Sequence, residues 1–316
     1  MRKKLIAVLV SGMIFATVPA LAAPLEISGN VTIKYEADSA ANMPTQAGTM
    51  YTLTLRGEQK LSPNFSVFAR LGAQYATNPV LADFDQTTYF DSTKAVVAID
   101  QYGFIYKPGS WTLTLGRQEA IIGTTALLYQ RHAENIGKNA FVEGLSVNGK
   151  IGAVEVSAIA ARENNLWLAN NSLYAIRGGV DLAKNLAAGL TLARYKYYGG
   201  DASNHWALDT TAKFGKSTFI AEYTQSSLAA DNSAYALTWN YDFNGKTALY
   251  VTKFRVGANG DMGGQGEFDN NNRGFYYGLM HAFNDRLSLE VVYKDQVLMS
   301  DSSKNSKWEV FLRNSF

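Results

Sequence analysis

The chain has 316 residues, of which 47% are hydrophobic, 18% charged and 12% aromatic, with a formal charge of +2 and no cysteine. Without thiols there is no disulfide scaffold and no Cys-ligated zinc or iron–sulfur centre. The abundant aromatic and β-branched residues exclude a disordered chain, and so small a charge gives no reason to expect nucleic acid.

The first 22 residues read as an export signal. Arg2, Lys3 and Lys4 form a basic start, Leu5 to Val18 is apolar, and Ala20-Leu21-Ala22 is a small-x-small cleavage pattern. A retained anchor helix is the alternative, but the apolar stretch is short. Cleavage after Ala22 removes three of 29 basic residues and none of 27 acidic ones, so 26 face 27 and the net charge becomes −1. Residues 23–316 then form one domain. Nothing in it approaches the roughly 18 uncharged apolar residues of a spanning helix.

From residue 23 on, short stretches alternate apolar with polar residues. Tyr51-Thr52-Leu53-Thr54-Leu55-Arg56 and Leu287-Ser288-Leu289-Glu290-Val291 are examples. A period of two predicts strands with one apolar face. Sixteen are predicted, near 25–36, 49–60, 65–76, 93–106, 111–120, 139–147, 151–162, 171–183, 188–198, 204–214, 217–226, 232–243, 246–256, 272–283, 286–297 and 305–316. Tight connections such as Lys107-Pro108-Gly109-Ser110, Asn148-Gly149-Lys150 and Asn244-Gly245-Lys246 carry hairpin-turn residues. They alternate with longer connections at 37–48, 77–92, 121–138, 163–170, 199–203, 227–231, 257–271 and 298–304. Short on one side and long on the other is the pattern of an outer-membrane barrel, with periplasmic turns and extracellular loops. A propeller would repeat a shared motif every 40–50 residues or so, and none is visible. Aromatics near strand ends, including Tyr102, Phe104, Tyr106, Trp111, Tyr195, Tyr197, Trp206, Phe214, Trp239, Tyr241, Tyr250, Phe254, Phe275, Tyr277, Trp308 and Phe316, are placed on the outer face as interfacial girdles.

The chain ends on alternating Trp308, Val310 and Leu312, then Phe316. This resembles the terminal strand of outer-membrane barrels, which the barrel assembly machinery reads. Asn314 departs from that pattern, which prefers an apolar residue there. The hairpin Tyr277 to Tyr293 and the opening Leu25-Glu26-Ile27-Ser28-Gly29-Asn30-Val31 resemble strands of the Gram-negative general porin superfamily. The opening is also similar to the barrels of OmpM-type porins of diderm Firmicutes. Those carry an S-layer-homology domain before the barrel, and with Glu26 already in the first strand no such domain is expected here. The resemblance implies an all-β, sixteen-stranded antiparallel transmembrane barrel whose third loop folds into the lumen. It implies a cell outer membrane location among lipid and lipopolysaccharide, a homotrimer, no cofactor, and passive diffusion of small hydrophilic solutes and ions. A substrate-specific channel for sugars or carboxylates stays open as the alternative.

In such a barrel lipid-facing and lumen-facing residues alternate, and charge on the lipid face is costly. Charge parity therefore places Arg56, Arg70, Arg177, Arg194, Lys196, Lys253, Arg255, Glu155, Asp181, Asp209 and Glu222 on the pore wall, each equally readable as a solvated wall residue. A slight basic excess predicts weak anion preference. Arg117 follows Gly116; strict alternation points it outward, but a bulge at Gly116 would turn it inward, and on that reading Arg117 also belongs to the pore wall. In loop 121–138, good helix formers behind a Thr cap predict a short helix. Leu127, Leu128 and Ile136 would pack on the wall, and Tyr129, Arg131, His132 and Glu134 would line the constriction. A loop capping the barrel from outside is the alternative. The Pro-Glu-Phe-Gly-Gly motif of enterobacterial porins is absent, so Glu134 is assigned by position. His132, His205 and His281 have no recognisable Ser or Asp partner, so an enzyme is not expected. The Asp/Asn-rich stretch 257–271 reads as a surface loop rather than a metal site. Adhesion would be secondary with loops this short.

Overall fold

A computed structural model describes residues 24–41, 43–81, 94–132, 134, 136–137, 141–164 and 170–316. The export segment 1–22 and residues 82–93 of the second long loop lie outside them. The strands are β1 (Glu26–Ala40), β2 (Gln46–Ser62), β3 (Phe65–Ala76), β4 (Ala95–Tyr106), β5 (Thr112–Gln118), β6 (Ala120–Ile122), β7 (Tyr129–Arg131), β8 (Val142–Ile151) and β9 (Val154–Glu163). They continue as β10 (Ser172–Ala183), β11 (Leu186–Lys196), β12 (Ala202–Phe214), β13 (Ser217–Ser226), β14 (Ser233–Asp242), β15 (Thr247–Val256), β16 (Asn272–Ala282), β17 (Leu287–Leu298) and β18 (Lys304–Ser315). Sixteen of them close an antiparallel barrel in chain order, with β8 next to β5 and β18 back on β1. β6 and β7 form a separate small hairpin.

The period-two pattern acts as expected. Leu190, Leu208 and Tyr223 are cross-strand neighbours on β11, β12 and β13 and are all exposed. Contiguous exposed apolar surface of this kind marks a lipid-facing band on a closed barrel. Among the described residues no helix is long and apolar enough to cross a membrane. The tight turns are held by their own side chains. Asn244 Oδ1 accepts from the amides of Lys246 and Thr247 at 3.0 and 2.8 Å, and Asn284 Oδ1 from those of Arg286 and Leu287, both at 2.9 Å. These Asx turns reverse the chain without help from either strand. The ring is sealed by Phe316, whose amide donates to Gly29 O at 3.0 Å while Gly29 N donates back at 2.8 Å.

The apolar clusters lie where loops meet the inner wall. Among its described residues the third long loop carries no helix; it opens with the β6–β7 hairpin. Gly123 (φ +98°) and Ala126 (φ +57°) adopt left-handed backbone that interrupts a helix. Leu127 and Leu128, adjacent in sequence, enter different clusters. Leu127 joins Phe254, Phe268 and Tyr276, whereas Leu128 joins Val142, Leu173 and Tyr195. Adjacent residues pointing to opposite sides suit a non-helical backbone, in which successive side chains alternate.

Candidate pore and constriction

The barrel encloses a cavity of about 1180 Å³. On β1 and β2 its wall carries a hydrogen-bonding row, with Ser28, Asn30, Thr32, Thr52 and Thr54 facing the open volume between Lys34 and Arg56. Lys34, Arg56, Arg70, Arg177, Lys294 and Arg313 face it as cations, and Glu119, Glu134, Glu267, Glu290 and Glu309 as acids. Most are paired. Lys34 lies 2.6 Å from Glu36 and 3.0 Å from Glu309; Lys294 lies 2.9 Å from Glu309; Lys307 lies 3.1 Å from Glu36. Alternating charges on β1, β17 and β18 thus neutralise one another along the wall.

The third loop is pinned to the inside of the barrel at four places. At its root, the Thr125 amide and hydroxyl both donate to Glu222 Oε2 at 2.7 Å. Further on, the Tyr129 and Tyr195 hydroxyls donate to Glu163 Oε1 at 2.9 and 2.8 Å, and Asn171 Nδ2 donates to Glu163 Oε2 at 2.9 Å. Burial pushes the Tyr129 phenol well above its ordinary pKa. Beyond it, Glu134 meets Arg313 of β18 at 2.7 Å, and Arg313 also holds Glu290 at 2.7 Å. At the loop's return, Gly137 N donates to Asp100 Oδ2 at 3.3 Å. Asp100 is itself clamped by Arg70, whose Nε and Nη2 donate to its two oxygens at 2.8 Å. Fully desolvated, bidentate pairs of this kind are costly to break from one side.

A second loop, 257–271, lies against the third. Met262 N donates to Leu128 O at 2.9 Å, Gln130 N to Gln265 O at 2.6 Å, and Glu267 N to Ala126 O at 3.0 Å. Phe268 stacks on Phe254 with ring centres 5.0 Å apart. The two loops therefore fill the lumen beside β12–β14, and the open volume is lined by the remaining barrel strands.

The residues singled out from sequence take several different places. Arg56, Arg70 and Arg177 face the open volume, with His132 and Glu134 of the third loop. Asp209 is buried and bound to Arg177 (Nη2 to Oδ1, 2.6 Å), and Glu222 is buried beneath the loop root. Glu155 and Asp181 keep inward parity but stand exposed at the short-turn end, Glu155 paired with Lys150 at 2.7 Å. Tyr129 and Arg131 do not line the opening. They are buried between loop and wall, Arg131 lying 3.5 Å from Glu163.

Four wall assignments are corrected. Arg194 and Lys196 share a face with the exposed Leu190 and Leu192, so they point outward near the long-loop end of β11. Lys253 and Arg255 are paired with outward-facing Leu237 and with Tyr235, and also lie on the outside. Conversely, Tyr195, Tyr250 and Phe254, expected in the outer girdle, face inward. The excess of inward cations disappears with this correction, and with it the argument for anion preference. Trp308, Val310 and Leu312 lie on the face opposite the lumen-lining Glu309, Phe311 and Arg313, with Trp308 and Phe316 exposed.

Arg117 pairs with Tyr102, which faces outward, in unbroken register through Gly116. The irregularity lies instead on the other edge of β4, where Asp100 is skipped between Arg70 and Leu71. Arg117 is nonetheless buried. Its Nε donates to Asp100 O at 2.9 Å and its Nη2 to Gly137 O at 3.4 Å. Sequence reasoning missed Asp100, Glu163 and Glu267. Asp100 sits off parity because of the bulge, and the partners of Glu163 are fixed only once the loop is in place. His205 Nε2 lies 2.8 Å from Ser203 Oγ, yet both are buried and His205 Nδ1 has no partner among the described residues. The orienting carboxylate of a nucleophilic triad is missing there.

A closed antiparallel barrel of sixteen strands, apolar outside and polar within, with loops across part of its bore, is a pore architecture. No family model matches the chain, and no curated protein is similar to it in sequence. Its fold matches solved structures. A triple mutant of the Rhodopseudomonas blastica porin superposes with a TM-score of 0.62 at 11% identity, covering 92% of this chain and 100% of that one. Another mutant of the same porin gives 0.62 at 13% identity with the same coverage. A third structure, described for the asymmetric conductivity of engineered proteins, gives 0.62 at 12% identity, again with 92% and 100% covered. The chain has the general porin fold.

Proposed function

We propose that this protein is an outer-membrane porin, a water-filled channel for passive diffusion of small hydrophilic solutes and ions. The observation that carries the reading is the open, charge-balanced cavity inside a closed barrel whose outer face is apolar. Water and hydrated solutes cross along the Thr- and Asn-lined wall of β1 and β2. Size and field at the loop-narrowed level select among them, with no cofactor. The constriction is assigned to His132 and Glu134, with Arg56, Arg70, Arg177 and Arg313 on the surrounding wall. Export through the N-terminal segment and insertion by the barrel assembly machinery, reading Trp308, Val310, Leu312 and Phe316, belong to the same proposal.

A homotrimer is the proposed assembly. Two features of the outer wall support a subunit contact. Beyond Tyr102, the outer half of β4 pairs with β3 but not with β5, and Val97 and Ile99 there are among the most exposed apolar side chains. Beside them, outward-facing Glu143 accepts from Tyr102 at 3.3 Å and Asn164 at 2.7 Å. Such a polar group suits a protein contact better than lipid.

The test is a planar-bilayer recording of the refolded protein. Stepwise conductance, in triplets if the trimer forms, is the expected result, and deleting residues 125–135 should enlarge each step. Liposome swelling should fall smoothly with sugar mass; a single favoured sugar or carboxylate would indicate a specific channel instead. Absence of any conductance would overturn the reading, and lipase or protease activity would replace it with an enzyme.

A further inference from the structure

The loop 257–271 ends its inward excursion on a carboxylate. Its fold is set from within: the buried Asp261 accepts from Gly264 N at 3.1 Å, Gly266 N at 3.4 Å and Asn270 Nδ2 at 2.8 Å. Asn270 also donates to Gly257 O at 3.3 Å and Ala258 O at 3.1 Å, tying the two ends of the loop together. The next anchor is the bond from Glu267 N to Ala126 O, followed at once by Phe268, stacked against the wall. Glu267 is thus fixed on both sides, and its side chain has one open direction, the cavity.

We propose that Glu267 is a selectivity-determining residue of the channel, a fixed anionic group delivered to the constriction by loop 257–271 rather than by the third loop. The inference rests on the channel reading. The groups facing it are Lys294 of β17, Glu309 of β18, Gln130 and His132 of the third loop, and the Tyr250 and Tyr276 hydroxyls of β15 and β16. Lys294 is engaged with Glu309, so it neutralises Glu267 only in part. Of the other lumen acids, Glu134, Glu290 and Glu309 each have a salt-bridge partner, whereas Glu119 is exposed. A partly compensated charge in a narrow, partly desolvated passage acts on permeant ions more strongly than one in bulk water. It draws cations in and turns anions back. Burial raises the Glu267 carboxyl above its ordinary pKa, so this charge is complete only toward higher pH.

Reversal potentials of the full refolded chain in a potassium chloride gradient test the proposal. At pH 8, Glu267→Gln should lower the potassium-to-chloride permeability ratio at least about twofold, and Glu267→Asp should restore most of it. Acidification to pH 4 should lower the wild-type ratio more than that of Glu267→Gln. An unchanged ratio in Glu267→Gln, in wild-type-like open channels, overturns this inference alone. A wild type that never conducts overturns the channel reading, and this inference with it.

Discussion

Glu163 carries more of the interior than any other single side chain described. It receives Tyr129, Tyr195 and Asn171 and lies beside Arg131, so its removal takes the acceptor from two buried phenols and a partner from Asn171 and Arg131. Glu163→Ala should therefore destabilise the protein by about 3 kcal/mol, read as a lower urea midpoint in micelles, with noisier open-channel current as the loop loosens. Asp261 makes a different prediction. Burial holds its carboxyl up at about 6 in the folded loop, against an ordinary value of 3.8. The folded state then binds the proton more tightly than the unfolded one, so stability falls as pH rises from near 4 through 6 and levels off above. Glu267, also raised, acts in the same direction. Urea midpoints at pH 4 and pH 7 check the sign, and Asp261→Asn should flatten the difference.

Strands were legible because a residue in a sheet has two choices of face, and apolarity reports which one it takes. The ranges 65–76 and 217–226 coincide with β3 and β13. Loop 121–138 was not legible. Its helix formers are real, but propensity yields where Leu127 and Leu128 are drawn to separate clusters and Thr125 is held by Glu222, 97 residues away in sequence. The face of a charged residue is also readable only within the apolar band. Lys253 and Arg255 lie near the long-loop end of their strand, where outward charge meets polar surroundings at little cost. Aromatic rings mislead there for the opposite reason: Tyr195 and Phe254 look like girdle residues but fill the space between wall and loop. The β4–β5 pair adds an element-level prediction. Gly116 has φ +141°, and a Cβ there would lie 2.2 Å from Tyr102 O. Gly116→Val should spread the two strands and reduce the folded, heat-modifiable fraction on a gel.

At the scale of the molecule, two loops and one wall divide the bore between them. The loops fill the side beside β12–β14 with apolar packing, and the hydroxyl-bearing face of β1 and β2 lines part of the other. The open volume is therefore displaced from β12–β14 and reaches the seam where the first and last strands meet. Whole-chain charge was no guide to this interior, because acids and bases there are mutually paired, and because Arg194, Lys196, Lys253 and Arg255 stand outside. The four corresponding Gln variants should leave the reversal potential nearly unchanged, whereas charge changes at Glu134 or Arg313 should move it.

The seam has a temporal meaning as well. Asn30 and Ser315 stand opposite each other, 285 positions apart in sequence. Joining ends so distant costs on the order of 5 kcal/mol in chain entropy, and nothing repays it until β18 docks along β1. Hairpins between successive strands can form early, since each closes over a short turn. The closing pair, β18 on β1, joins the strands of the barrel most distant in sequence. Until it forms, both outermost strands present raw edges open to other chains. A chain stopped short of residue 304 would keep most of its hairpins and lose the ring.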